Sequence, residues 1–200
     1  METPDLDEAL GPIGAGIRAS LAAAGRRSPG LCVLTGGQTG VDTIAAVGAL
    51  GAGLITHVVF PRGFGQEDGP LTDARRRELS GAAIHELASA TFAERTWSCV
   101  RLADAVILID PAGGEGCEET LRAARSLGRP ILDLGPRADP GPSQSEIAGW
   151  LRETGARVIE IAGCRASLLD RESRWRAGDQ IRVVISGIVA GTGDPANKVH

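Results

Sequence analysis

Residues 35–42 read Thr-Gly-Gly-Gln-Thr-Gly-Val-Asp, set between the apolar run Leu31–Leu34 and the alanine-rich stretch 43–50. Gly36, Gly37 and Gly40 let a backbone turn sharply and approach a ligand closely. A helix beginning near Val41 adds unpaired N–H groups and the positive end of its dipole. Gln38 and Thr39 add side-chain hydrogen-bonding groups. In outline this is an anion or phosphate cradle. It is neither a Walker A loop, since no Lys follows the glycines, nor a GxGxxG fingerprint. Asp42 favours the helix dipole but would repel a phosphate it faced. The same residues therefore also read as a tight strand-to-helix turn with Asp42 in the first helical turn.

A second loop repeats the arrangement. Asp110–Thr120 (D-P-A-G-G-E-G-C-E-E-T) follows the apolar run Ala105–Ile109 and precedes a helix. Gly113, Gly114, Glu115, Gly116 and Cys117 are placed to present backbone amides, and Glu118 and Glu119 fall in the first helical turn. A capped helix start is the plainer reading. Cys117 at such a start is expected to have a lowered thiol pKa, although a small buried Cys is the simpler expectation. Residues 61–70 (P-R-G-F-G-Q-E-D-G-P) supply a third candidate loop. There Arg62 is a phosphate clamp, with Gly63 beside it, and Glu67 and Asp68 are acceptors for ligand N–H groups. A solvated surface loop is the alternative.

The elements that must position these loops follow from the apolar pattern. Short continuous apolar strands are expected at 31–35, 56–60, 84–87, 105–109, 130–134 and 157–161, alternating with helices to about 50, at 92–102, 118–127, 146–154 and 171–189. Such alternation signals a parallel sheet covered on both faces, with ligands at the carboxyl ends of its strands. Leu6, Leu10, Ile13, Ile17 and Leu21 suggest a helical arm, weakened by Gly11, Pro12, Gly14 and Gly16. We therefore expect an N-terminal extension over 1–30, one ligand-binding domain over 31–190, and a flexible tail over 191–200. His57 and His85 read as structural. Arg75, Arg76 and Arg77 read as a solvated helix face, and Trp97, Trp150 and Trp175 as packing residues.

Composition narrows the chemistry. The chain has 200 residues, 42% hydrophobic and 23% charged, with a net charge of −4. That balance gives no reason to expect nucleic acid as a partner. Of 21 basic residues, only Lys198 is lysine, so lysine chemistry, including a pyridoxal phosphate Schiff base, is not expected. Cys32, Cys99, Cys117 and Cys164 form no CxxC pair and match neither a zinc site nor a disulfide framework. No directly ligated metal is expected. The acidic start and the lack of a long apolar run point to a cytoplasmic protein without a membrane partner.

The motifs resemble, in order, those of the molybdenum cofactor carrier family. That family lies in the SLOG superfamily, which also holds the lysine-decarboxylase-like "Lonely Guy" proteins and DNA-processing protein A. The likeness runs from Thr35–Asp42 through Pro61–Pro70, Arg95–Leu108 and Gly128–Leu134 to Trp150–Arg165, most of the chain. It implies a Rossmann-like, doubly wound α/β fold of three layers and a homo-oligomer, dimer or tetramer. It further implies binding of molybdenum cofactor, a phosphorylated molybdopterin, for delivery to a molybdenum apoenzyme. The glycine loops would take the phosphate and oxo groups, with Thr96 nearby and Arg62 and Arg101 as charge partners. The Lonely Guy enzymes carry Pro-Gly-Gly-x-Gly-Thr-x-x-Glu. Here Cys117 replaces the Thr, and Thr120 stands where the catalytic Glu belongs. A helix turns about 100° per residue, so Glu119 would point elsewhere. We therefore read a binding protein rather than an enzyme. The alternatives are a nucleoside-monophosphate phosphoribohydrolase using Glu118 or Glu119, and a nucleotide-sensing module.

Overall fold

A computed structural model describes residues 6–24, 30–110, 112–135 and 141–192. The expected tail residues 193–200, the start of the N-terminal extension and part of the loop after residue 135 lie outside these. The main sheet has six strands: β1 (Cys32–Thr35), β2 (Ile55–Phe60), β5 (Ala83–Glu86), β6 (Ala105–Ile109), β7 (Ile131–Leu134) and β8 (Val158–Gly163). Their order is β5-β2-β1-β8-β6-β7, and every pairing is parallel. A small antiparallel hairpin, β3 (Gly65–Gln66) and β4 (Gly69–Pro70), lies inside the segment expected to be a plain loop.

The helices are α1 (Leu6–Ala24), α2 (Val41–Gly51), α3 (Asp73–Glu78), α4 (Phe92–Leu102), α5 (Glu115–Ser126), α6 (Gln144–Thr154) and α7 (Arg171–Thr192), with a 3-10 turn at Ala166–Leu168. α2, α6 and α7 cover one face of the sheet; α1, α4 and α5 cover the other. This is the three-layer, doubly wound arrangement. The period of two along β1 serves both layers: Val33 joins the α2–α7 cluster, while Cys32 and Leu34 join α1 and α4.

Local chemistry explains most boundaries. Ser143 and Glu146 form a reciprocal capping box at the start of α6, and Gly155 ends that helix at φ 64°. Thr91 caps α4 and Thr72 caps α3. α1 continues through Pro12 and its glycines because Leu10, Ile13, Ile17 and Leu21 form one buried stripe. Packing thus outweighs the propensity cost of those residues. α5 starts three residues before the expected Glu118, and α7 runs past 189 to Thr192. Trp175 is a correction: it is 71% exposed rather than packed, while Trp97 and Trp150 are half-buried.

Candidate functional site

The chain runs β1, β2, β5 outward in one direction, crosses to β6 and β7, then returns β8 between β1 and β6. That reversal is a topological switch point, where open α/β sheets hold ligands. The loops after β1, β6 and β8 meet there around a cavity of about 330 Å³. Of the residues singled out from the sequence, Gln38, Asp42, Thr96, Gly114, Glu115, Gly116, Cys117 and Glu119 line it. Gly36, Gly37, Thr39 and Gly40 lie behind that wall. Arg62, Gly63, Asp68, Arg101, Gly113 and Glu118 do not line it.

The glycines of the first loop approach protein rather than an open space. A Cβ on Gly36 would stand 1.2 Å from Arg95 Nη1. Gly37 and Gly40 have φ of 68° and 84°; a Cβ on the first would meet the Phe60 ring at 2.6 Å, and on the second the Cys164 carbonyl at 2.4 Å. The loop's polar groups are also largely engaged. The Gln38 N–H donates to Asp42 Oδ2 (3.1 Å), and the Val41 N–H to the Cys164 carbonyl (3.0 Å). Gln38 Oε1 accepts from the backbone N–H groups of Thr39 and Glu67. Its Nε2 has no partner among the described residues.

Asp42 is buried and paired with Arg95 at 3.0 Å. Burial raises the pKa of its carboxyl on balance; Arg95 and the N–H groups of Gln38 and Gly163 pull the other way. Glu160, on β8 beneath the same site, is fully buried, and its Oε2 has no partner among the described residues. Burial pushes its carboxyl up to about 8, with Arg95 offsetting part of this and Asp42 adding to it. Arg95, which sequence reasoning did not single out, is thus the cation under the site. Arg101, six residues on, ends α4 near the start of β6, where its carbonyl accepts from Arg129 Nη2 (2.8 Å). In a parallel sheet the helix that enters at the carboxyl edge ends at the opposite edge, so Arg101 lies away from the cavity.

The segment after β2 buttresses the site. β2 lies on the far side of β1 from β8, so its loop reaches the back of the 36–40 loop. Gln66 Nε2 donates to the Gly37 carbonyl (2.8 Å). Glu67 accepts from the Thr39 hydroxyl and from both the N–H (3.0 Å) and the hydroxyl of Ser167. Burial acts to raise the Glu67 carboxyl, but the bonds from Ser167 and Thr39 outweigh it and hold it below its ordinary range. Asp68 is turned to Arg75 in a two-point pair at 2.8 and 2.6 Å. Arg76 covers the Phe64 ring at 5.0 Å. The arginine run is therefore only partly a solvated face.

The third wall is the loop after β8, whose start closes the Trp150–Arg165 likeness but carried no expected ligand contact. Cys164, Arg165 and Leu168 come from it, and Phe92 from the start of α4. Arg165 is half-exposed and lies 3.6 Å from Glu67. Phe92 and Leu168 are among the few large apolar side chains left exposed, at 43% and 39%. α5 begins after its N-cap Gly114, which supplies no side-chain cap and lies against Leu168: a Cβ there would stand 2.9 Å from Leu168 Cδ1. Its first amides are therefore the donors that a helix start leaves unpaired. Glu119 is occupied: Oε1 accepts from Trp97 Nε1 (2.6 Å), and Oε2 pairs with Arg122 (2.8 Å). Thr120 is buried, its hydroxyl donating to the Gly116 carbonyl (3.0 Å).

Cys117 is the small buried Cys of the simpler reading, and the lowered thiol pKa is the expectation it corrects. Its thiol pKa is raised, first by the hydrogen bond with Cys164 and then by burial, rather than lowered by the helix start. Cys117 and Cys164 stand 4.0 Å apart, and the Cys164 thiol donates to Asp110 Oδ1 at 2.6 Å. No linear motif joins positions 110, 117 and 164; the crossover that seats β8 beside β6 does.

A doubly wound parallel sheet with its cavity at the carboxyl-edge switch point defines a Rossmann-like α/β protein. The model of the circularly permutated YpsA SLOG family matches residues 33–174, and the chain belongs to that family. In fold it is similar to a protein of Syntrophus aciditrophicus described as a "Putative molybdenum carrier protein". The TM-score is 0.63 and the identity 22%, over 80% of this chain and 98% of that one. No curated protein matches.

Proposed function

We propose that this chain is a binding protein for a phosphorylated, flat heteroaromatic ligand, and that the ligand is molybdenum cofactor. The observation that carries the reading is the mixed lining of the cavity. It combines the uncapped start of α5 and the half-exposed Arg165 with the exposed Phe92 and Leu168. A phosphate suits the first pair, by backbone N–H groups, helix dipole and guanidinium together. A fused ring system suits the second, by stacking and apolar contact. The Gln38 Nε2 donor in the same lining, without a partner among the described residues, is available to fix the ring's orientation. The volume lies at the lower end of the ~300–1,000 Å³ usual for small-molecule sites. The Syntrophus aciditrophicus neighbour, described as a molybdenum carrier, supports a molybdenum-bearing cargo.

In this reading Gly114, Glu115 and Gly116 hold the phosphate through their amides, and Arg165 closes over it. Arg165 takes the role expected of Arg62 and Arg101. Gly36, Gly37 and Gly40 act indirectly, by letting Arg95, Phe60 and the β8 loop pack close to Asp42. Hydrolysis of a nucleotide is less well served, because both oxygens of Glu119 are engaged and Glu118 stands outside the cavity.

The test is loading. Protein is incubated with cofactor released from a molybdenum enzyme, separated on a desalting column and assayed for pterin. Wild-type protein should retain it near one equivalent, and Arg165→Ala and Phe92→Ala each at least about tenfold more weakly, the effect of losing roughly 1.4 kcal/mol. Equal retention by the wild type and both variants would remove this cavity as the site.

A further inference from the structure

Asp110, Cys117 and Cys164 are brought together from three places in the chain: the end of β6, the first turn of α5 and the end of β8. One ligand atom from each lies within 4.8 Å of the other two. Cys117 and Cys164 are 2% and 1% exposed as residues, yet both line the cavity. We propose that these three side chains form a binding site for a thiophilic divalent cation such as Zn2+, with the fourth coordination position open to the cavity.

The geometry argues for a cation rather than a crosslink. A tetrahedral ion with metal–sulfur bonds of about 2.3 Å separates its two sulfurs by roughly 3.8 Å. The observed separation is 4.0 Å. Cys164 Sγ and Asp110 Oδ1, at 2.6 Å, are joined by the thiol proton; an ion that displaces that proton lets them part to the roughly 3.5 Å of two tetrahedral ligands. A disulfide needs the sulfurs at about 2.05 Å, so the pair would have to close by half. Two sulfurs and one oxygen make a donor set that selects a soft or borderline ion over Mg2+ or Ca2+. Three protein ligands with one open position is the pattern of zinc sites that take an exchangeable fourth ligand, as opposed to the closed four-ligand structural sites.

The surroundings are built to hold the donors in place. Asp110 Oδ1 accepts from the Gly113 N–H at 2.7 Å, which orients the carboxyl from outside the cluster. Cys117 lies in the first turn of α5, where the helix dipole favours a thiolate facing a cation. Gly163 has room for no Cβ, which would come within 2.0 Å of the Ile109 carbonyl. That close approach of β8 to β6 is what sets Cys164 beside Asp110. The site stands on these side chains alone and holds whatever organic ligand the cavity takes.

The test uses Co2+ as a spectroscopic stand-in on the reduced, full-length protein. One equivalent should produce an intense thiolate-to-cobalt absorption and the visible bands of a four-coordinate ion, and Zn2+ should displace it. Cys117→Ser and Cys164→Ser should each weaken binding by more than the ~10–100-fold that losing an outer partner costs. Asp110→Asn should weaken it as well. Cys32→Ser, whose thiol lies in a separate core cluster on the other face, should leave it unchanged. An undiminished band in the Cys117→Ser/Cys164→Ser double variant, or no band in wild-type protein, would overturn the proposal. Should the serine variants not fold, X-ray absorption of the zinc-loaded wild type decides. Two sulfur scatterers at about 2.3 Å support the site, and a shell without sulfur overturns it.

Discussion

Gly36 faces a guanidinium, Gly37 a phenyl ring and Gly40 a neighbouring main chain. Each glycine sits where a side chain would displace a group that shapes the cavity wall. Gly36→Ala is the sharpest case, since its new Cβ overlaps Arg95 Nη1 and must break or shift the Arg95–Asp42 pair. Overfilling a packed site costs about 1–3 kcal/mol, and an uncompensated buried charge adds to that. We expect Gly36→Ala to lower the chemical denaturation midpoint with an unchanged m-value. A midpoint equal to wild type would mean that Arg95 moves aside freely and is not held by Asp42.

Among the elements, the loops after β1, β2 and β8 are fastened to one another by Glu67. It joins Thr39 of the first loop to Ser167 of the last. A hydrogen bond to a charged acceptor is worth about 1.5–3 kcal/mol. Glu67→Ala should therefore speed amide exchange at Ser167 by about 10- to 100-fold, with the strand amides of β6 unaffected. Unchanged exchange at Ser167 would show that the β8 loop holds its shape without the latch.

These same elements show what could be read from the sequence. The strands at 31–35, 56–60 and 105–109 were legible because each is a short apolar run, and the glycine loops because they follow such runs. The parallel, two-face-covered sheet followed from their alternation. Strand order was not legible, since nothing local in residues 158–163 says that the last strand inserts at the centre. The site expectations divided along that line. Residues of α5 and of the first loop line the cavity, whereas Arg62 and Asp68 belong to a strand one place too far out. Arg95 and Arg101 lie in the same stretch of α4, and only the direction of that helix puts the first at the cavity and the second at the far edge. Asp110 and Cys117 share the loop between β6 and α5, but nothing local in the sequence brings Cys164 to them; only the crossover does.

For the molecule as a whole, buried ionisable groups set the dependence of stability on pH. Glu160 is raised to about 8. Its contribution is complete below its unfolded value of about 4.3 and is lost as pH rises through 8. His57 works in the opposite sense. It is pushed down to about 4 by burial and by His85, whose ring stacks on it at 5.0 Å. Its contribution is present above about 6.5 and is lost as pH falls through 4. The two oppose each other between about pH 4.3 and 6.5, so Glu160 is seen most cleanly from about 6.5 to 8. There wild-type stability should fall with pH by up to about 1.4 kcal/mol per unit for one proton. Glu160→Gln should flatten that slope. An equal slope in the variant would assign the titration to another group.

What the cavity carries decides the function. The most direct measurement is made on protein purified gently with no ligand added: denature it, oxidise the supernatant, and measure the fluorescent pterin product together with elemental molybdenum. Both should be found, in near-equal amounts and approaching one per chain, with both reduced in Arg165→Ala. Absence of both, in protein that also fails to take up released cofactor yet retains a nucleoside monophosphate, would contradict it and make the same loops a nucleotide site.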